Sequence, residues 1–355
     1  MTPLPRIVHL ASGREWRGGQ RQVLLLAQEL ARFGVDQLAI TTRGSRLATE
    51  LAQASVPTRA VGWRAGLSPS ALVAAVVASR SGPTIIHAHD AHALTLAGLA
   101  SVVTGARFVV TRRVDFPLRR TGFWARASAV IAISEAVRRI LIADGIDPGR
   151  ISVVHSGIDI DGAAKVTAGA IRADLGLPTT GLLAVSVAAL VAHKDHHTLL
   201  KAAALLRNRF PDLHWAIAGD GILRAELERQ ARELGIAAFI HFLGHVAEPR
   251  RLIAAATLFT LSSIEEGLGT SILDALALGI PVVATRAGGI PEMLEGGAGI
   301  LTPPGDPAAL AEGIAQVLQS QELRSDLAAK GRHAVAQFTD RGMATKVLQV
   351  YRSVS

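Results

Sequence analysis

Apolar and polar positions follow two periods along this chain. The runs RIVHLAS (6–12), TIIHAHD (84–90) and TLFTL (257–261) are nearly continuous in apolar residues, the pattern of a strand buried on both faces. Between such runs lie stretches of helical period, as at 20–33, which Gly34 ends. The alternation continues: VDQLAITT and a helix from Arg46, TRAVGW and a helix over 68–79, and AVIAIS with a helix that Ser134 caps and Glu135 opens. In the second half, LLAVSVAALVAHKDHHTLLKAAALL, HWAIAGDGILRAELERQARELG and FIHFLGHVAEPRRLIAAA each read strand, loop, helix. Helices over 322–338 and 341–353 finish the chain. Both halves are built of β/α units, which predicts the α/β class: two doubly wound, parallel-sheet domains facing across a cleft. A Gly- and Ala-rich segment, 161–170, reads as the linker.

The stretch 257–292 concentrates the polar chemistry. After its strand comes a loop with Glu265, Glu266, Gly267, Gly269, Thr270 and Ser271, then a helix over 270–278, which Gly279 and Pro281 close. Backbone N–H groups at that helix N-terminus favour a phosphate. Glu266 repels phosphate, so it suits the hydroxyls of a sugar or ribose. Asp274, eight residues on, lies about two turns into the helix and reaches the same side. Phosphate with two hydroxyl-binding carboxylates describes a nucleotide sugar.

Here the chain resembles the family 4 (group 1) glycosyltransferases, which have the GT-B fold. Their donor motif is a glutamate, seven residues and a second glutamate; Glu266 stands at the first position and Asp274, one methylene shorter, at the second. The resemblance implies a retaining, hexosyl-type transfer from a nucleotide-diphospho-sugar to a hydroxyl acceptor. No cofactor or bound metal is implied, the nucleotide sugar being a co-substrate. It assigns 1–163 to an acceptor-binding domain, 171–338 to a donor-binding domain and 339–355 to a helix returning to the first domain. The family places an arginine and a lysine on the donor diphosphate; Lys194 fits the lysine, whereas Ala189 occupies the arginine position, with Arg286 or a first-domain residue as substitutes. The amides of Gly269 and Thr270 assist, Asp274 holds the ribose, and Val246, in the loop after Gly244, meets the base through its backbone. The pair Gly18-Gly19 approaches the donor from the first domain. As a bare motif this pair matches neither GxGxxG nor a P-loop, because Gly19-Gln20 stands where Lys-Ser/Thr belongs; a tight turn is its plain reading.

His87 and His89 share one face by the period of two, at the strand end where open α/β sheets bind ligands. Structural histidines, or two metal ligands with no obvious third, are the readings without the family. The family puts a histidine of this strand end at the reacting sugar carbon, His89 first and His87 as its rival.

Composition narrows the rest. The 355 residues suit two domains, and zero cysteines exclude a disulfide framework and fit a reducing compartment. The opening residues enter a strand with no leader pattern, and the longest apolar runs, such as 91–103, fall short of a membrane span, so a cytoplasmic protein is expected. The net charge of +8 is uneven: 20 Lys and Arg face 11 Asp and Glu through Lys165, and 17 face 18 beyond it. Arg112 and Arg113, with Arg119, Arg120 and Arg126, form a basic cluster that reads as a solvated surface or as a contact for a phosphorylated acceptor or lipid head group. A glycan or lipid-linked acceptor of the cell envelope, and a peripheral contact with the inner face of an anionic membrane, follow from charge and family together. The basic residues lack interleaved aromatics, so no nucleic-acid partner is expected. Two other functions fit the same architecture: a nucleotide-sugar epimerase or hydrolase, and a non-catalytic sugar-nucleotide binding module.

Overall fold

The computed structural model describes residues 4–63, 68–118 and 121–355. The chain divides into two compact units, Met1–Ile158 with Phe338–Ser355, and Asp159–Gln337.

The first unit holds seven strands: β1 Arg6–Ala11, β2 Gln37–Thr42, β3 Thr58–Val61, β4 Thr84–Ala88, β5 Arg107–Arg112, β6 Ala129–Ala132 and β7 Ile151–Val153. All pairings are parallel, in the order β3-β2-β1-β4-β5-β6-β7. The second unit repeats the wiring with β8 Leu182–Val187, β9 Leu213–Ala218, β10 Ile240–Gly244, β11 Leu258–Leu261, β12 Val282–Thr285 and β13 Ile300–Thr302. Its order is β10-β9-β8-β11-β12-β13, again parallel. In each sheet the strand order reverses once, between β1 and β4 and between β8 and β11. That reversal leaves a crevice at the C-terminal strand ends, where such sheets bind ligands.

The apolar runs become strands because helices cover both faces; every residue of β4 and of β11 is buried. Ser45, Ser68, Ser134 and Ser320 start helices by accepting a backbone N–H in the first turn, each contributing about 1 kcal/mol. The helix Asp340–Ser353 packs Met343, Ala344, Val347, Leu348 and Tyr351 onto Ile7, Leu30, Ile85 and Ile131 of the first unit. Burying each large side chain there stabilises by roughly 1.5–3 kcal/mol.

The boundary between units lies before the segment expected as linker. Ile158 N–H donates to the Phe338 carbonyl at 2.8 Å and Asp340 N–H to the Ile158 carbonyl at 3.0 Å, so the two crossings of the chain run side by side. Residues of 161–170 instead serve the second unit. The helix Ile160–Ala164 is started by the Asp159 carboxylate, which accepts from Gly162 N–H, and it packs on the helix Thr270–Ala277. Within this stretch Ala163 is buried, and Gly162 leaves room for the Asp159 carboxylate. Among the described residues no helix is long and apolar enough to cross a membrane.

Candidate active site

In the second unit, the loops that follow β8 and β11 meet at the reversal point. The Gly219-Asp220-Gly221 turn after β9 supports the first of them. A Cβ on Gly219 would lie 1.9 Å from the Ala188 carbonyl oxygen, and one on Gly221 2.3 Å from that of Leu190. Bare glycines therefore let residues 188–190 run against the turn, joined by Ala188 N–H to Ala218 O and Leu190 N–H to Asp220 O, both 3.0 Å. The loop then delivers Lys194. Asp195 takes a left-handed conformation at φ 45°, and its carboxylate accepts from Thr198 N–H at 3.2 Å to start the helix His196–Leu206.

From the other side come Ser262 to Glu266. Ser262 Oγ donates to the Lys194 carbonyl at 3.0 Å, and Ile264 N–H to the His193 carbonyl at 2.9 Å, which ties the two loops together. Lys194 Nζ donates to Glu266 Oε2, an ion pair with 16% and 11% of the two side chains exposed. Ser263 Oγ donates to the same oxygen at 3.3 Å, and Gly289 N–H to the Glu266 carbonyl at 3.0 Å. The ion pair is therefore partly dry and held from several directions, so its attraction is stronger than that of a surface pair.

Gly269, at φ 87°, starts the helix Thr270–Ala277, and no side chain among the described residues caps it. The turn needs a positive φ, and with no side-chain oxygen in the way the first amides are left for another acceptor. Asp274 is buried inside this helix, and Arg250 Nε donates to its Oδ1 at 2.8 Å. Val246 lies half-buried in the loop after β10. Arg286 follows β12 and is exposed. His196 is 1% exposed, and among the described residues neither ring nitrogen finds a partner; burial first, then the Lys194 charge, lowers its pKa to about 4.

The first unit has its own constellation at the β1–β4 reversal. Asp90 joins three segments: its carboxylate accepts from Ser12 N–H at 2.8 Å, from Ser12 Oγ at 2.6 Å and from Ala93 N–H at 2.9 Å. The helix Gly18–Arg32 begins at Gly18, two residues before its expected start, so the Gly18-Gly19 pair forms its first turn. Arg113 lies against Gly19, its Cδ 3.4 Å from where a Cβ would stand.

His87 and His89 are buried, with their rings 4.0 Å apart. The parallel register sets His9 beside His87, and the three offer ligand atoms within 4.8 Å of one another. This corrects the expectation that no third metal ligand accompanies the strand-end pair. His9 stands 78 residues upstream of His87, and only strand pairing joins them. In the geometry shown five of the six ring nitrogens bond protein groups instead. His87 Nδ1 meets Tyr351 Oη and its Nε2 meets Thr111 Oγ1, both at 2.7 Å. His9 Nδ1 meets His89 Nε2 at 3.0 Å, and His9 Nε2 meets Gln37 Oε1 at 3.1 Å. His89 Nδ1 has no partner among the described residues, which separates it from its rival His87. Burial depresses all three histidines, His9 to about 4, with like-charge proximity to each other and to Arg113 adding to the effect on His87 and His89. All three rings are thus neutral near pH 7.

The basic cluster is also corrected in part. Arg112 is 7% exposed, turned onto the Phe116 and Trp124 rings, with Nη2 donating to the Phe116 carbonyl at 2.5 Å. Arg113 is half-buried, with its Nε shielded from solvent; burial lowers its pKa to about 10 against the opposing pull of Asp90. Arg112 ends β5 and Arg113 follows it, and the Phe116 and Trp124 rings hold the first of them inward. Arg112 is thus not part of a solvated face. Arg119 and Arg120 lie outside the described residues, and Arg126 stands over the Phe123 ring at 5.8 Å.

Residues that the sequence reading passed over are His9, Gln37, Ser12, Ser263 and Arg250. For His9, Gln37 and Ser12 the one signal was the β1–β4 and β1–β2 register, which needs the sheet order first; Ser263 stands three residues before Glu266, and Arg250 meets Asp274 from another helix.

Comparison with known proteins accords with this geometry. Residues 168–334 match the model for glycosyl transferases group 1, and residues 16–161 that for glycosyltransferase family 4. The lipopolysaccharide core biosynthesis glycosyltransferase LpsE of Rhizobium meliloti is 29% identical over 353 residues, covering 98% of this chain and 99% of that protein. The D-inositol 3-phosphate glycosyltransferase of Corynebacterium urealyticum is 34% identical over 230 residues; the match spans 60% of this chain and about half, 54%, of that protein. The crystal structure of Anabaena HepE in complex with UDP-glucose shares the fold at a TM-score of 0.87 and 23% identity, covering 98% of this chain and 99% of that one. With both halves matched by its two models, the chain belongs to the group 1, family 4 glycosyltransferases and has their GT-B fold.

Proposed function

We propose that the protein transfers a hexose from a nucleoside-diphosphate sugar to a hydroxyl acceptor, with retention of configuration and with no resident metal or cofactor. The observation that carries this reading is the Lys194–Glu266 pair beside the open helix N-terminus at Gly269. A cation and free amides suit a diphosphate, and a carboxylate one step away suits sugar hydroxyls. HepE, of the same fold, was crystallised with UDP-glucose, which supports a nucleotide-sugar donor.

The roles follow from charge. As the bond to the anomeric carbon lengthens, negative charge grows on the departing diphosphate, and Lys194 with the Gly269 and Thr270 amides offsets it. Donor phosphate competes with Glu266 for Lys194, which frees the carboxylate for the sugar hydroxyls and for positive charge developing on the sugar carbon. Asp274, oriented by Arg250, accepts from the ribose, while Val246 meets the base. Gly18 and Gly19 approach the donor from the first unit, and His89 meets the sugar. The acceptor attacks from the face the diphosphate leaves, and a phosphate oxygen takes its proton. The positive balance of the first 165 residues and the likeness to LpsE support an anionic envelope glycan or glycolipid acceptor, reached from the inner side of a membrane.

The test is product analysis with a panel of nucleotide sugars, with and without hydroxyl acceptors, the anomeric configuration being read by NMR. A retained linkage formed only with acceptor is expected. Lys194→Ala and Glu266→Ala should each lower turnover by roughly 10²-fold. Near-native transfer by either variant rejects the assigned roles; sugar release or epimerisation without acceptor rejects the transferase reading for this donor.

A further inference from the structure

The hydrogen bonds in the first unit run in one direction, and that direction sets which nitrogen of His89 carries its proton. Gln37 Nε2 donates to the Ala27 carbonyl at 2.7 Å, and a carbonyl only accepts. The amide oxygen of Gln37 therefore faces His9 Nε2 at 3.1 Å and requires a proton there. Neutral His9 has no second proton, so its Nδ1 accepts, and the 3.0 Å contact to His89 Nε2 requires the proton on His89. His89 is left with an unshared pair on Nδ1, the one nitrogen of the trio without a partner among the described residues. Arg113 Nε, just past the end of β5, the strand paired with β4, is buried and likewise unpartnered among the described residues. One bare acceptor and one bare donor at the sheet's reversal point are the complement of a hydroxyl group, which gives and accepts at once.

We propose that His9 and Gln37 are positioning residues. They hold His89 neutral, with its proton on Nε2, so that Nδ1 accepts from a hydroxyl of the sugar or of an ordered water beside it. A ring in the opposite tautomer would present a donor and turn that hydroxyl round. The chain of bonds also explains a buried His–Gln pair deep in β1 and β2, which packing alone would fill with apolar residues. The positioning role rests on the transferase reading; the tautomer does not.

The experiment is nitrogen-15 NMR of the histidine rings in the full-length protein, paired with kinetics of the same samples. Wild type should show His89 protonated at Nε2 and bare at Nδ1, with the Nδ1 resonance moving when UDP-glucose or the donor found above is added. Gln37→Met removes the acceptor that fixes His9 and should mix the His89 tautomers. His9→Leu should lower kcat/KM by about tenfold, the scale of one hydrogen bond. His9→Asn places an amide oxygen where Nδ1 stood and should restore the rate to within about twofold, which a purely structural loss would not do. Movement on donor addition assigns the hydroxyl to sugar; a bare but hydrogen-bonded Nδ1 whose resonance is unmoved by donor assigns it to water. A proton on His89 Nδ1 in wild type overturns the proposal, as does unchanged kcat/KM in folded His9→Leu. Stoichiometric zinc that shifts all three rings would assign the trio to a metal and overturn it too. Absence of transfer with every donor would defeat the transferase reading and leave the tautomer result standing.

Discussion

Acidification from pH 7 to pH 5 should destabilise the first unit. His9 is held neutral by burial, with its pKa lowered from 6.5 to about 4. The folded pKa lies below the unfolded one, so the unfolded chain binds more protons between those values. Stability is therefore full above pH 6.5 and is lost as pH falls toward 4. Linkage with these two values gives about 2 kcal/mol lost from His9 alone between pH 7 and pH 5. His87 and His89, lowered in the same direction, add to it. The window lies above the ordinary carboxylate range, so Asp and Glu contribute little there. Urea unfolding followed by tryptophan fluorescence measures the effect. Trp215 lies in the second unit, whereas Trp63 and Trp124 are buried in the first. In Trp215→Phe the signal then reports the first unit. A midpoint unchanged between pH 7 and pH 5, at constant slope, would refute the argument, because it would mean that the histidines are charged or solvated when folded.

Two further outcomes follow from single contacts. Tyr351→Phe removes the hydroxyl that meets His87 Nδ1 at 2.7 Å and leaves a buried ring nitrogen without it; a loss of about 1–3 kcal/mol is expected, read as a lower urea midpoint of the first unit. Gly219→Ala forces a Cβ to within 1.9 Å of a backbone carbonyl oxygen; a loss of about 3 kcal/mol or more in the second unit is expected, together with weaker donor binding through the displaced Lys194 loop, and calorimetry with UDP titration checks both.

The fold was legible because strands buried on both faces read as apolar runs, and because caps such as Ser45 and Ser134 mark helix starts locally. The second unit's constellation was legible for a similar reason. Glu266, Gly269 and Asp274 fall within one loop and one helix, and Lys194 follows one apolar strand. Arg250 escaped notice because its bond to Asp274 joins two helices, and the sequence carries no sign of which polar residues face each other. In the first unit the functional groups come from β1, β2, β4, β5 and the last helix. His9, Gln37, His89, Thr111 and Tyr351 are neighbours only after the strands are paired in an order that breaks sequence order. The same limit hid the burial of Arg112. A run of arginines reads as a wet surface, and only the loop after β5 and the Trp124 ring turn the first of them inward.

The helix Asp340–Ser353 completes the first unit's core, yet all of Asp159–Gln337 is synthesised before it. While the ribosome builds the second half, the first half waits with the flank of β1, β4 and β6 uncovered and His87 lacking its tyrosine. Final closure of the N-terminal half is therefore a late event in biogenesis. A nascent chain halted near residue 337 would present a greasy, chaperone-attracting surface even after its seven strands had assembled.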